Sequence, residues 1–307
     1  MFKYWKVSAA VLILCLFSSV YAYSGGSGTE VSPYRIASVS DWNNLMATTS
    51  DWNKHFILTA DVNLSAIALT PIGNGTTKFT GVFNGNNHII RNAKINIGDN
   101  DFVGIFGCVS DAQISNLGVI DVNISGHSYI GGLVGYNRQS VINACYVTGK
   151  VKGSLGIGGL VGINFGSTIS DCYAASSVIG NTDVGGLAGL SSASDITDCY
   201  STGPVSGSSN TGGFAGYQAE GNIEACFWDI ETSGQMTSAA GEGKTTIEMM
   251  LLNTFTSAGW DFVNVWDIGE GQTYPFLRKY HGSDLNNDGF VDFADLNLFV
   301  GNWLEAI

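Results

Sequence analysis

Proline is nearly missing, with 4 residues in 307, and positive charge is scarce, with 13 Lys and Arg against 26 Asp and Glu. A formal net charge of −13 lacks the basic footprint that nucleic-acid phosphates require, so nucleic acid is excluded as a partner. The same balance suits calcium or simple solubility. Histidine is limited to His55, His88, His127 and His281. These four are scattered, form no nucleophile constellation, and stand at no zinc-ligand spacing beside a cysteine. Past residue 22 no apolar run is long enough to cross a bilayer. What is abundant is glycine, 41 residues spread through short apolar runs. That pattern disfavours helix as the main element and suits strands separated by turns.

The start of the chain reads as an export signal over residues 1–22. Lys3 and Lys6 supply the basic end, Ala9 to Val20 the apolar centre, and Val20-Tyr21-Ala22 the cleavage site. The mature protein is therefore expected to be secreted or held at a bacterial cell surface, with no transmembrane segment. The Gly- and Ser-rich stretch 23–32 reads as a loose leader. Ser40 is placed to cap a short helix through Asp41 to Leu45.

A constant step of 27 residues organises the middle of the chain. Cys145, Cys172, Cys199 and Cys226 obey it, and so do the runs GGLVG from Gly131, GGLVG from Gly158, GGLAG from Gly185 and GGFAG from Gly212. Ile142, Ile169, Ile196 and Ile223 form another column, and Tyr146, Tyr173, Tyr200 and Phe227 a further one. Such a period is the mark of stacked units that bury a face only against their neighbours. Each unit holds about three short strands, near Ile130 to Val134, Val141 to Val147, and Val151. The fold expected is all-β: a right-handed parallel β-helix whose like side chains pile into ladders, Leu133, Leu160, Leu187 and Phe214 among them. Degraded copies precede the regular ones. Phe102 to Gly107 matches Tyr129 to Gly135 with one residue missing, and Ile90 to Ala93 and Ile114 to Leu117 match Ile142 to Cys145. Strands are also expected at Phe56 to Leu58, Phe79 to Phe83, His88 to Ile90 and Phe102 to Phe106. The helix should span 56–230, after a leader and N-terminal cap at 23–55. A C-terminal cap follows at 231–280, with a short helix over Thr246 to Leu252 and bulk from Trp260, Trp266 and Phe276.

The cysteine column holds Ala93 and Leu117 in the earlier coils, so it reads as a buried apolar position with free thiols. Bridges from Cys145 to Cys172 and from Cys199 to Cys226 are the alternative. Sequence alone leaves the redox state of these four and of Cys108 open.

These units resemble the GLUG repeat of bacterial surface and secreted proteins, including regions of IgA-protease-like and adhesin-like chains. The resemblance rests on the GGLVG, GGLAG and GGFAG runs with Cys-Tyr beyond them, on the entry Asp51 to Leu58, and on the exit Phe227-Trp228-Asp229. It implies an architecture and carries no shared catalytic residues.

Residues 281–307 hold the strongest chemical motif. Asp284, Asn286, Asp288, Asp292 and Asp295 place side-chain oxygens at loop positions 1, 3, 5, 9 and 12, Gly289 allows the turn at position 6, and Phe290 offers its carbonyl at position 7. Calcium is the expected cofactor. The loop, with Asp rather than Glu at its end and one amphipathic helix after it, resembles half of a type I dockerin. That resemblance implies a cohesin partner and association with polysaccharide degradation. Only one loop is present, and the Ser/Thr pair often used for cohesin contact is replaced by Phe293 and Ala294, both of which argue against cohesin binding.

No catalytic residue is assigned. Asp171 and Asp198 share one column, about a coil apart, and read as solvated strand-edge residues. A lyase base is poorly supplied, since Arg138, Lys150 and Lys152 are the only cations from Val103 to Cys226. Asn181-Thr182-Asp183 matches a polygalacturonase triplet whose partner motifs are missing. The function expected is an exported calcium-binding solenoid that adheres to a glycan, matrix component or surface protein. A β-helical hydrolase or lyase with a dockerin-like tag is the alternative, and a structural spacer a further one.

Overall fold

A computed structural model describes residues 23–278 of the chain. The expected export signal, and the expected calcium loop and helix, lie outside the described residues. The described part is an all-β parallel solenoid of about six coils with few helices.

A regular coil is built from three strands, such as Ser128–Gly131, Val134–Arg138 and Val141–Lys152. Each pairs in parallel with its equivalent 27 residues on: Ile130 with Ile157, Val134 with Val161, Ile142 with Ile169. The expected division of the coil is corrected in one respect. Val134 opens a strand of its own, and Val141 to Lys152 is a single bent strand.

The bends explain the difference. Three columns of residues take left-handed backbone angles, one at each bend. They run Phe102, Tyr129, Gly156, Asp183, Asn210; then Asp111, Gln139, Gly166, Ala193, Glu220; then Asn116, Ala144, Asp171, Asp198, Ala225. A non-glycine residue in this region costs about 1 kcal/mol. Lateral pairing on both sides holds each one there, so the strand turns a corner without losing its ladder.

Between the walls lies a continuous apolar core. Leu133, Leu160, Leu187 and Phe214 are fully buried, as are Ile142, Ile169 and Ile196. One polar ladder runs through it: Asn137 Nδ2 donates to Asn164 Oδ1 at 2.7 Å. The column Gly132, Gly159, Gly186, Gly213 faces Val147, Ala174, Ser201 and Trp228 across the coil, and a Cβ on any of these glycines would strike the side chain opposite. Glycine is needed there for close approach.

Register corrects the early coils. Val103 pairs with Ile130 and Phe106 with Val134, so one residue is indeed missing between them. Ile114 and Leu117 do align with Ile142 and Cys145. Ile90 and Ala93 do not. Ile90 lies beside Val119, Phe83 is the residue that pairs with Ile114, and Lys94 pairs with Asn123. The coil from Phe83 to Ile114 is longer than 27 residues, which shifts the apparent match. The early strands are short: His55–Leu58, Val82–Asn84, Ile89–Arg91 and Phe106–Ser110.

The ends are closed differently. At the start, Tyr34–Ile36 already pairs with His55–Leu58. The helix Val39–Ala47 follows, capped by Ser38 rather than Ser40, with Trp42 and Leu45 buried. Asp41 accepts from Ala37 N, Ser24 Oγ and Ser38 Oγ. Burial of Asp41 works against its charge, but these donors outweigh it and hold its carboxyl below the usual range. Residues 23–32 are not loose: Tyr23 is buried and packs at a tilt against Tyr34, with ring centroids 4.4 Å apart. A lone aromatic in a glycine-rich stretch supplies the anchor that composition hides.

At the other end, Glu242–Lys244 pairs with Phe227–Asp229, and Ser238 Oγ accepts from Phe214 N and Ala215 N. The chain from 245 then folds back along the outside of the coils. Tyr146, Tyr173 and Tyr200 stack there at 4.9 Å, within 9° of parallel. Trp260, Trp266 and Phe255 pack over that stack and Phe227. The cap therefore roofs a flank as well as an end. Phe276 is exposed, and the short helices fall at Glu248–Met250 and Leu252–Thr256.

Candidate functional site

The flank beside the third bend carries polar columns whose members sit one coil apart. Outward-facing Asn84, Ser115, Asn143, Ser170 and Thr197 pair in sequence. The left-handed residues Asn116, Ala144, Asp171 and Asp198 stand next to them. Asparagine suits such positions because its short amide tolerates the left-handed region. The amides are locked by one another: Asn116 Nδ2 donates to Asn84 Oδ1 at 3.1 Å, and Asn143 Nδ2 donates to Ser170 Oγ at 2.8 Å and to Asp171 Oδ2 at 3.0 Å.

The folded-back cap meets this flank at Asp171, where Trp266 Nε1 donates to Asp171 Oδ1 at 3.2 Å. Where the two surfaces diverge they leave a cleft of about 430 Å³. Asn86, Asn87, Asn116, Asn143 and Asp171 line the solenoid side, and Asn264 and Arg278 the cap side. Burial pushes the Asp171 carboxyl up to about 6, helped by Cys172 and, less, by the neighbouring Asp198 charge, and opposed by its two donors. Asp171 is thus half-buried and hydrogen-bonded, which corrects the expectation of a solvated strand-edge residue. Asp198 is half-buried too, and burial raises it as well.

The cysteine column is structural. Cys108, Cys145, Cys172, Cys199 and Cys226 are buried free thiols, and no bridge joins them. Cys145 N donates to Cys172 Sγ and Cys172 N to Cys199 Sγ, each at 3.4 Å, while each thiol donates to the carbonyl two residues back. Burial pushes the Cys145 and Cys199 thiols up and Cys108 up to about 12, away from nucleophilic use, while at Cys172 burial is outweighed by the bonds from Cys145 and Cys199, which lower it.

Other constellations were tested on geometry. Asp101, His127 and Ser128 converge, with His127 Nδ1 3.0 Å from Asp101 Oδ1 and 2.9 Å from Ser128 Oγ. Both contacts fall on one ring nitrogen, whereas a hydrolytic relay needs the two nitrogens on opposite partners. Asp183 occupies a bend and accepts from Asn210 Nδ2 at 2.8 Å, which gives the Asn181-Thr182-Asp183 triplet a turn role. Arg138, Lys150 and Lys152 are exposed and do not line the cleft. Among the described residues no group of three or more His, Cys, Asp or Glu converges as a metal site. The expected calcium ligands Asp284, Asn286, Asp288, Phe290, Asp292 and Asp295 lie outside the described residues.

The cleft itself escaped the sequence. Three of its four flank asparagines, Asn86, Asn87 and Asn116, belong to irregular early coils, and its other wall comes from a segment with no period. A signal existed in the Asn86-Asn87 pair and in Asn116, since asparagines at successive bends mark turns that offer amides outward.

Comparison with known proteins agrees with this architecture. The family model described as the GLUG motif matches residues 126–152, 153–179 and 180–206. No curated protein matches. A solved structure from Bacteroides ovatus, described as a "putative immunoglobulin A1 protease", is similar over 85% of this chain and 96% of that one, with a TM-score of 0.69 and 21% identity. At that identity the likeness establishes the fold alone. Three consecutive coils of this solenoid thus match the GLUG motif.

Proposed function

We propose that this chain is an exported β-solenoid that binds an extracellular glycan in the cleft between its flank and its cap, without cleaving it. One observation carries the reading: four asparagines of the flank line a single concavity of ligand size. An amide both donates and accepts, as a sugar hydroxyl does, and the rigid coil fixes where each amide stands. The adhesion role follows from presenting this site on a long, acidic, export-directed molecule. The segment 281–307 adds a calcium loop through Asp284, Asn286, Asp288, Phe290, Asp292 and Asp295, which would tie the terminus down.

Retention of the purified chain on a glycan array tests the site. Asn143→Ala and Asn116→Ala should each weaken binding by roughly 2- to 10-fold, the worth of a neutral hydrogen bond. Retention on no glycan, or retention unchanged in both variants, overturns the reading. A hydrolytic alternative is favoured by one feature, the Asp171 carboxyl held up to about 6, where a general acid works well. Release of reducing ends from a polysaccharide panel, lost in Asp171→Asn, would replace binding with catalysis. Calorimetry on the full chain should show calcium uptake abolished by Asp288→Ala, and no heat in the unaltered chain removes that part.

A further inference from the structure

The column that ends at the cleft continues beneath the cap. Asp171 and Asp198 are consecutive members, one coil apart, so their backbones stand about 4.8 Å from each other. Trp266 Nε1 bonds Asp171, and Trp260 Nε1 donates to Ala225 O at 2.9 Å, the column positions on either side of Asp198. The two indoles touch, with centroids 4.5 Å apart. The indole pair thus brackets Asp198 along the column. Among the described residues no side-chain hydrogen bond reaches its carboxylate.

Two half-buried carboxyls one coil apart, beside an aromatic pair, are a poor place for two negative charges. We infer that Asp171 and Asp198 form a carboxyl latch, whose protonation docks residues 246–278 against the flank and whose ionisation loosens that wall of the cleft. The consequence for ligand binding rests on the reading above; the latch itself requires no ligand.

Burial raises both carboxyls, Asp171 to about 6. With the cap released, both would titrate near the ordinary carboxylate value of about 4. Protonation is then tighter in the docked form. Docking is firmest below about pH 4, weakens as pH rises from about 4 to 6, and is level above that.

The other charges facing this contact do not supply the same trend. Glu224, next on the flank, is exposed and accepts from Asn222. Arg278 sits on the cap side with Asp267 at 3.4 Å and donates to the carbonyls of Trp266 and Phe262. Asp261 is exposed and bonded within its own turn. Tyr173 and Tyr200 are raised by burial and stay neutral throughout the window. The Cys172 charge raises Asp171 too, but Cys172 is buried inside the coil whether the cap is docked or released, so it does not distinguish the two. Asp229, which accepts from Tyr274 Oη and Thr246 Oγ1, is held below the usual range and works in the opposite sense, but only below about pH 4.

Hydrogen exchange on the full chain at pH 4.5 and 7, corrected for the intrinsic rate, tests the latch. Amides of residues 249–277 should lose roughly tenfold in protection at the higher pH, one pKa unit of linkage. Amides of residues 130–165 should not change. In Asp171→Asn with Asp198→Asn the cap should keep its protection at both pH values, while Glu224→Gln should behave as the parent. An unaltered chain whose cap protection is the same at both pH values overturns the inference, whatever the double variant does. So does a double variant that loses protection as the parent does. Glycan retention reports on the cleft separately, so a silent array with a pH-dependent cap sinks the binding reading and leaves the latch.

Discussion

Two bends of the coil solve one problem with two elements. After the bend at Gln139, Gly166 and Ala193 comes a serine column, Ser140, Ser167 and Ser194. After the bend at Ala144, Asp171 and Asp198 comes the cysteine column. The bonding is the same in both. Ser140 N donates to Ser167 Oγ and Ser167 N to Ser194 Oγ, each at 3.1 Å, and each hydroxyl donates to the carbonyl two residues back. The thiols repeat this pattern with N–H to sulfur at 3.4 Å. A left-handed residue turns the following N–H out of the ordinary ladder. A small side chain that both donates and accepts collects it, one coil on. Oxygen does this at one bend, while the bend that packs into the core uses sulfur, a weaker partner but a more apolar one.

The comparison can be broken in graded ways. The core ladder sets the scale: Leu160→Ala should cost about 2–5 kcal/mol in equilibrium unfolding by denaturant, and an unmeasurable change would remove it from the core. Ser167→Ala comes next. It leaves the buried Ser140 N–H without an acceptor and should cost about 1–3 kcal/mol. Cys172→Ala leaves the Cys145 N–H in the same state but forfeits a weaker bond, so its cost should be smaller, about 1 kcal/mol. Cys172→Ser keeps both bonds and should be milder than Cys172→Ala. If serine proves worse than alanine at 172, the thiols are there for packing alone and the equivalence of the two bends fails. The smallest effect concerns the bend residue itself. The folded state holds the Asp171 proton to about pH 6, so wild-type stability falls as pH rises from about 4 to 6. Asp171→Asn should flatten that slope, leaving the part Asp198 supplies, and should gain on the parent above pH 6 while matching it below pH 4 in thermal melts.

Columns such as Cys145 to Cys226 and Leu133 to Phe214 were legible because a repeat places chemically equal residues at equal offsets. The same logic misled at Ala93, where an enlarged coil keeps the side-chain types and shifts their register. The cleft obeys no offset at all. Its defining contact joins Trp266 to Asp171, 95 residues apart, and nothing periodic announces it. Ser38 displaced Ser40 as the helix cap because Asp41, bonded back to Ala37 and Ser24, starts the turn earlier. The serine column was visible in the sequence at the same 27-residue step, yet small polar residues in a glycine-rich chain look like turn filler.

Trp228 has a bearing on how long such a molecule can be. It stands where Val147, Ala174 and Ser201 stand in earlier turns, lies against Gly213, and sends its indole N–H to Gln235 O, steering the chain into the closing segment. Each turn meets only the turns on either side of it. Units copied between 153 and 206 would lengthen the rod by one strand spacing apiece and leave both stoppers intact. A single bulky ring thus works as a full stop, and duplication upstream of it is a ready route to reach.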